Sequence, residues 1–204
     1  MSRFPFVALC ALLFLAACGG GRFSAPNDLD NACSIVQERP QYLRAMQEAE
    51  RNWGVPVHVQ MATIHQESRF VGNARTPRRY TLGVIPMGRQ SSAFGYAQAL
   101  DGTWDEYREE TGNRFARRTR IRDATDFMGW YMNHTQSRNN IPKTDARNQY
   151  LAYHEGHAGY RRGSHNSKPW LLSVADRVQN RAERYERQLE SCSTPRRRSF
   201  GFGA

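Results

Sequence analysis

The sequence predicts an all-α domain, helical except for a possible small β-hairpin in a loop at residues 72–92. Three observations point there. Apolar residues recur at three- and four-residue steps in most segments. Proline and glycine stand at the ends of those segments. Outside the loop, no stretch alternates apolar and polar residues as a half-buried strand does.

Residues 33–53 carry Ile35, Val36, Leu43, Met46 and Ala49 at helical spacing, with Pro40 as a break or a second start. Gly54 and Pro56 then interrupt the helical pattern. Residues 57–68 form the next helix. Val57, Met61 and Ile64 share one side, and Val59 and Ala62 widen it, as in a helix that passes through a core. Residues 72–92 hold Gly72, Pro77, Gly83, Pro86 and Gly88 among Arg75, Arg78, Arg79 and Arg89, which reads as a long loop or a hairpin around Tyr80 to Ile85. A short helix at 103–110 takes Thr103 as its cap. Asp123 or Thr125 is set to cap another, carrying Phe127, Met128, Trp130 and Tyr131. Residues 145–155 are helical up to Gly156, and Pro169 opens a last helix to about Leu189.

The ends of the chain read differently. Residues 1–17 have a positive start at Arg3, an apolar run from Phe6 to Leu15, and small residues before Cys18. This is a secretory signal, too short to span a bilayer well. Leu15-Ala16-Ala17-Cys18 resembles a bacterial lipobox, which implies acylation of Cys18 as the mature N-terminus. The alternative is an ordinary cleaved signal with Cys18 incidental. Gly19 after the cysteine implies, by resemblance to enteric-type lipoproteins, the outer membrane on its periplasmic side. Residues 18–31 read as a flexible tether, 32–192 as one domain and 193–204 as a basic disordered tail.

The formal charge is +10 in the full chain. Arg3 is the one charge lost with the leader, so the mature protein keeps +9. A basic surface suits an anionic partner, and export argues against nucleic acid. Four cysteines are present. Cys10 leaves with the leader and Cys18 takes the lipid. Cys33 and Cys192 then flank the domain and are expected to be bridged in an oxidising compartment. The alternative is two free thiols.

The chemistry gathers in three short motifs. Met61 to Phe70 places Glu67 near the end of an apolar helix, followed by Ser68. Burial there raises a carboxyl pKa and keeps a proton available near neutral pH. Phe94-Gly95-Tyr96-Ala97-Gln98 and Ala152-Tyr153-His154-Glu155-Gly156 come after it in that order. Together they resemble the ES, GLMQ and AYNxG motifs of the lysozyme-like lytic transglycosylases, which cleave the glycan strands of bacterial peptidoglycan.

That resemblance implies a single catalytic Glu67. It implies substrate contacts at Ser68, Gly95, Tyr96, Gln98, Tyr153 and His154. Tyr153 is expected to bring its hydroxyl to Glu67. Tyr96, Ala97 and His154 depart from the family's usual Leu, Met and Asn, and the loop at 72–92 is longer than the family's. Its arginines can meet stem-peptide carboxylates or face water. Trp53, Trp104, Trp130, Tyr131 and Trp170 can stack on sugars, although their helical spacing points most of them to the core. His154 and His157 stand three apart with Gly156 between them, and no third ligand is implied. The expectation is a monomer with no metal and no cofactor. Two rival readings are a goose-type muramidase, with Asp101 or Glu155 activating water, and a non-catalytic peptidoglycan-binding lipoprotein.

Overall fold

A computed structural model describes residues 23–81 and 85–192, without the side chains of residues 79–86. The expected leader at 1–17, the expected lipidation site Cys18 and the tail at 193–204 lie outside the described residues.

The chain opens with α1 (Ala32–Glu38), capped by the Asn31 side chain, which accepts from the amide of Ser34. Pro40 then starts α2 (Pro40–Trp53), where a missing amide proton costs nothing. Tyr42, Ala45, Met46 and Ala49 are buried along one stripe of α2, and Gly54 ends it in the left-handed conformation at φ 71°. α3 (Val57–Ser68) is buried on nearly every side. Its buried side-chain donors are satisfied internally. Gln60 donates to the carbonyls of Met46 at 3.0 Å and Val55 at 2.8 Å, and Thr63 donates to Val59. The central helix can therefore carry polar residues without an unmet donor.

Around α3 pack α5 (Ile121–Asn139), α6 (Ala146–Arg161) and α7 (Pro169–Ser191). Leu171, Ala175, Val178, Ala182 and Tyr185 form the buried stripe of α7. α5 pairs with α2 through a close approach at Gly129, where an added Cβ would lie 2.5 Å from the Trp53 ring. Trp53 then donates from its indole to Asp126, which also accepts from Tyr107 on α4 (Asp101–Glu110).

The loop at 72–92 contains the expected hairpin. β1 (Arg78–Thr81) and β2 (Ile85–Arg89) are antiparallel, pairing Arg78 with Arg89 and Thr81 with Ile85 across a bulge. It stands apart from an otherwise helical domain.

Four expectations need correction. α4 starts at Asp101 and not at Thr103, because Leu100 takes the cap position with no capping side chain. α5 starts at Ile121, so Asp123 and Thr125 are inside it. Asp123 reaches back to accept from the Arg117 amide at 2.8 Å, which secures the preceding loop instead of the helix end. Gly156, at φ 74° and ψ 156°, breaks α6 as expected, but a second helical segment follows it to Arg161, where the sequence reads none. The proposed tether is also docked from residue 23 onward. Leu29 packs on the core, Asp30 pairs with Arg181 at 2.7 Å, and Tyr185 donates to the Leu29 carbonyl. An apolar side chain and a charge pair hold a segment whose composition reads as a linker.

Cys33 and Cys192 form a disulfide with Cα atoms 5.6 Å apart, as expected. The Ala32 amide donates to Gln188 beside it, so both ends of the domain meet at one place.

Candidate functional site

Glu67 is the last residue but one of α3, and the chain turns sharply after it. Arg69 and Phe70 both adopt positive φ, 50° and 61°. For residues with a Cβ this costs roughly 1–2 kcal/mol each. The turn is held by burial: Phe70 is fully enclosed and its ring stacks on Tyr42, centroids 5.7 Å apart. Strain of this kind is often found at functional sites.

The environment of Glu67 sets its proton. Burial raises its pKa from an ordinary 4.5 to about 7, against a smaller downward pull from the Tyr150 hydroxyl, which is directed to it as a donor. Tyr150 is itself buried on α6, and burial together with the Glu67 charge pushes its own pKa up. Near pH 7 Glu67 is thus divided between acid and carboxylate, the condition a general acid–base group needs.

The second and third motifs meet at Tyr153, which feels the Glu67 charge. The Tyr153 hydroxyl donates to the Ala97 carbonyl at 2.6 Å, and burial with the nearby Glu67 charge holds its proton firmly. Gln98, at φ 47°, donates from its amide to the carbonyls of Ala74 at 2.9 Å and Gly95 at 2.8 Å. Gln98, Leu100, Thr103, Tyr131, Tyr153 and Gly156 help line a cleft of about 230 Å³ at this junction. Gly95, at φ 82°, is required by its neighbour: a Cβ there would sit 2.2 Å from the Arg118 carbonyl oxygen.

A protein-family model described as the transglycosylase SLT domain matches residues 6–192. The chain belongs to that family. A search of curated proteins finds no match.

The third motif meets the second where Tyr153 donates to Ala97, and Tyr150 and Tyr153 both feel the Glu67 charge. Other expected contacts face elsewhere. Ser68 is buried and its hydroxyl donates back to Ile64 in its own helix. Tyr96 points into the core, where its hydroxyl pairs with that of Tyr42 at 3.0 Å and its ring fills the space left by Gly72. Tyr150 is the tyrosine that lowers the Glu67 pKa, while Tyr153 donates to Ala97 within reach of the Glu67 charge. Tyr150 stands one helical turn before Tyr153 on the same face. That three-residue spacing was the signal available in the sequence.

His154 is exposed and hydrogen-bonds Glu155 at 3.0 Å, with the Trp170 ring edge-on at 5.3 Å. Trp170 is 57% exposed. Trp104, Trp130 and Tyr131 are core, and Trp53 is partly buried against Gly129. His157 stacks on Tyr131 at 4.4 Å and meets Thr135 at 3.0 Å. Among the described residues, no group of three or more His, Cys, Asp or Glu side chains is placed to hold a metal.

The two other carboxylates considered for catalysis are occupied. Asp101 pairs with Arg118 at 2.5 Å. Glu155 is 4% exposed and receives Lys168 at 2.7 and 2.8 Å, with Ser164 and His154 also bonded to it. Burial alone would raise the Glu155 pKa, but those hydrogen bonds hold it at about 2. A separate polar hollow of about 340 Å³ between α2 and α5, around the Glu48–Arg122 pair, lies away from all three motifs.

Proposed function

We propose that this SLT domain cleaves the β-1,4 bond between MurNAc and GlcNAc in peptidoglycan without water, with Glu67 as both acid and base. The observation that carries this reading is the Glu67 carboxyl with a pKa of about 7, while Asp101 and Glu155 are each held in an ion pair. Glycosidases that hydrolyse commonly use two carboxylates, one of which activates water or attacks the sugar. Here one group serves both steps.

In the first step Glu67 gives its proton to the glycosidic oxygen, and the bond from that oxygen to the anomeric carbon breaks. The substrate's own acetamido oxygen stabilises the positive charge left on that carbon. In the second step the Glu67 carboxylate takes the proton of the C6 hydroxyl, and that oxygen closes onto the anomeric carbon. The product is a 1,6-anhydro-MurNAc end, and Glu67 is again protonated. The low polarity that raises the Glu67 pKa favours both transfers near neutral pH.

Digestion of purified sacculi tests the reading. The expected muropeptides carry anhydro ends and are lighter by one water than hydrolysis products. Products heavier by that water would support a muramidase and require a second group to activate water. A folded protein with no turnover would leave only a binding role. The lipobox supports placing this enzyme in the periplasm, held to the outer membrane through Cys18. Cys18→Ala is then expected to move it from the membrane fraction to the soluble one.

A further inference from the structure

Beyond the cleft, a second hollow of about 440 Å³ lies on the far side of the start of α4. Five arginines line it, Arg75, Arg89, Arg108, Arg117 and Arg118, against two aspartates, Asp101 and Asp105. Three positive charges are left in excess. The guanidinium groups are not equally engaged. Arg118 is committed to Asp101 and to the carbonyls of Ser92 and Ala99. Arg108 is committed to Asp105 and the Arg114 carbonyl. Arg89 gives one nitrogen to the Thr76 carbonyl.

Arg75 and Arg117 are different. The Arg75 guanidinium sits over the Phe94 ring, its central carbon 3.7 Å from the centroid, and donates to no group among the described residues. Its N–H groups are thus left to receive a carboxylate, which a guanidinium can hold with two hydrogen bonds. Arg117 spends its backbone amide on Asp123, and its exposed guanidinium pairs with no group among the described residues.

The hollow and the cleft share a wall. Leu100 and Thr103 face the cleft, whereas Asp101, Trp104 and Asp105 face the basic hollow. One helix with its side chains is about 10–12 Å across. An extended peptide covers roughly 3.3–3.6 Å per residue. A short branch of three or four residues, attached to a sugar in the cleft, therefore reaches the arginines.

We infer that this basin binds the carboxylates of the peptide branches carried by the glycan, through Arg75 and Arg117 as the open donors. The inference rests on the peptidoglycan reading above and names the part of the substrate that the cleft leaves unread. It also divides the loop arginines. Arg75 and Arg89 line the basin, while Arg78 stands on β1 outside that lining.

The test compares wild type with the R75Q/R117Q variant on intact sacculi and on glycan strands stripped of peptide by an amidase. The ratio of the two rates is expected to fall roughly tenfold, the equivalent of about 1.4 kcal/mol lost from two exposed charge contacts. An unchanged ratio in a folded variant overturns the inference. If the double variant fails to fold, R117Q alone serves, because that side chain supports no other described group. Wild type inactive on both substrates would sink the peptidoglycan reading instead. The basin is then decided by calorimetric titration with the free stem peptide released by the amidase. Binding by wild type that weakens in the variant and with added salt is expected. No binding, or equal binding by both proteins, overturns it.

Discussion

Replacing Glu67 with Gln keeps the shape of the side chain and removes its proton equilibrium. This has two effects with different signatures. Activity should fall by ~10²–10⁴-fold or more, because the proposed mechanism gives both proton transfers to this one group. Stability should rise, and only at higher pH. The unfolded chain ionises Glu67 near 4.5, while the folded chain resists until about 7. Between those values the folded state binds more protons, so its stability drops as pH rises. The interval, at about 1.4 kcal/mol per pH unit, comes to about 3 kcal/mol above pH 7. Gln does not titrate and escapes that loss. Denaturant unfolding of both proteins at pH 4 and pH 8 measures it, because all other titrating groups cancel in the difference. The variant is expected to gain about 3 kcal/mol on wild type between the two conditions. A difference that does not change with pH would refute the claim that burial sets the Glu67 proton, and with it the reason for assigning Glu67 as the acid.

Three further outcomes are expected. Tyr150→Phe removes the hydroxyl that pulls the Glu67 pKa down, so the alkaline limb of the rate–pH profile should move upward and the rate should fall roughly tenfold; an unmoved limb would detach Tyr150 from the site. Gly129→Ala places a methyl group against Trp53 and should cost about 1–3 kcal/mol in denaturant unfolding despite the better helix propensity of alanine, whereas a neutral change would mean that α2 and α5 can part freely. Intact-mass analysis after alkylation of exported protein should find neither Cys33 nor Cys192 free, and the paired Ser variant should lose about 2–4 kcal/mol.

The helices that were most legible were those with clear ends. Pro40 and Gly54 bracket α2, Pro169 opens α7, and in each the buried residues recur at three and four. The starts of α4 and α5 were not legible, because Leu100 and Arg120 cap them without a side-chain bond. What fixes the chain ahead of those starts lies outside the cap positions: Arg118 on the Ala99 carbonyl, and Asp123 on the Arg117 amide. Gly156 reads as a stop, yet α6 resumes beyond it, and Glu155 is locked there to Lys168 and Ser164, partners later in the chain. At the site, Glu67 was legible from apolar neighbours on its own helix. The inward turn of Ser68 and Tyr96 was not, since it depends on Ile64 as an acceptor and on Tyr42 and Gly72 across the core. The left-handed pair Arg69 and Phe70 has no signature in residue type at all.

The link between Cys33 and Cys192 has a mechanical consequence. A force that pulls the two ends of the chain apart is borne by a covalent bond at the rim of the domain. It bypasses the 158 residues between them, since the bonded pair is 159 apart. The helices that carry Glu67, Tyr150 and Tyr153 thus lie inside a closed ring with two leads leaving from one point. Stretching those leads can drag or turn the domain as a body, but it cannot unthread it or spread these three side chains.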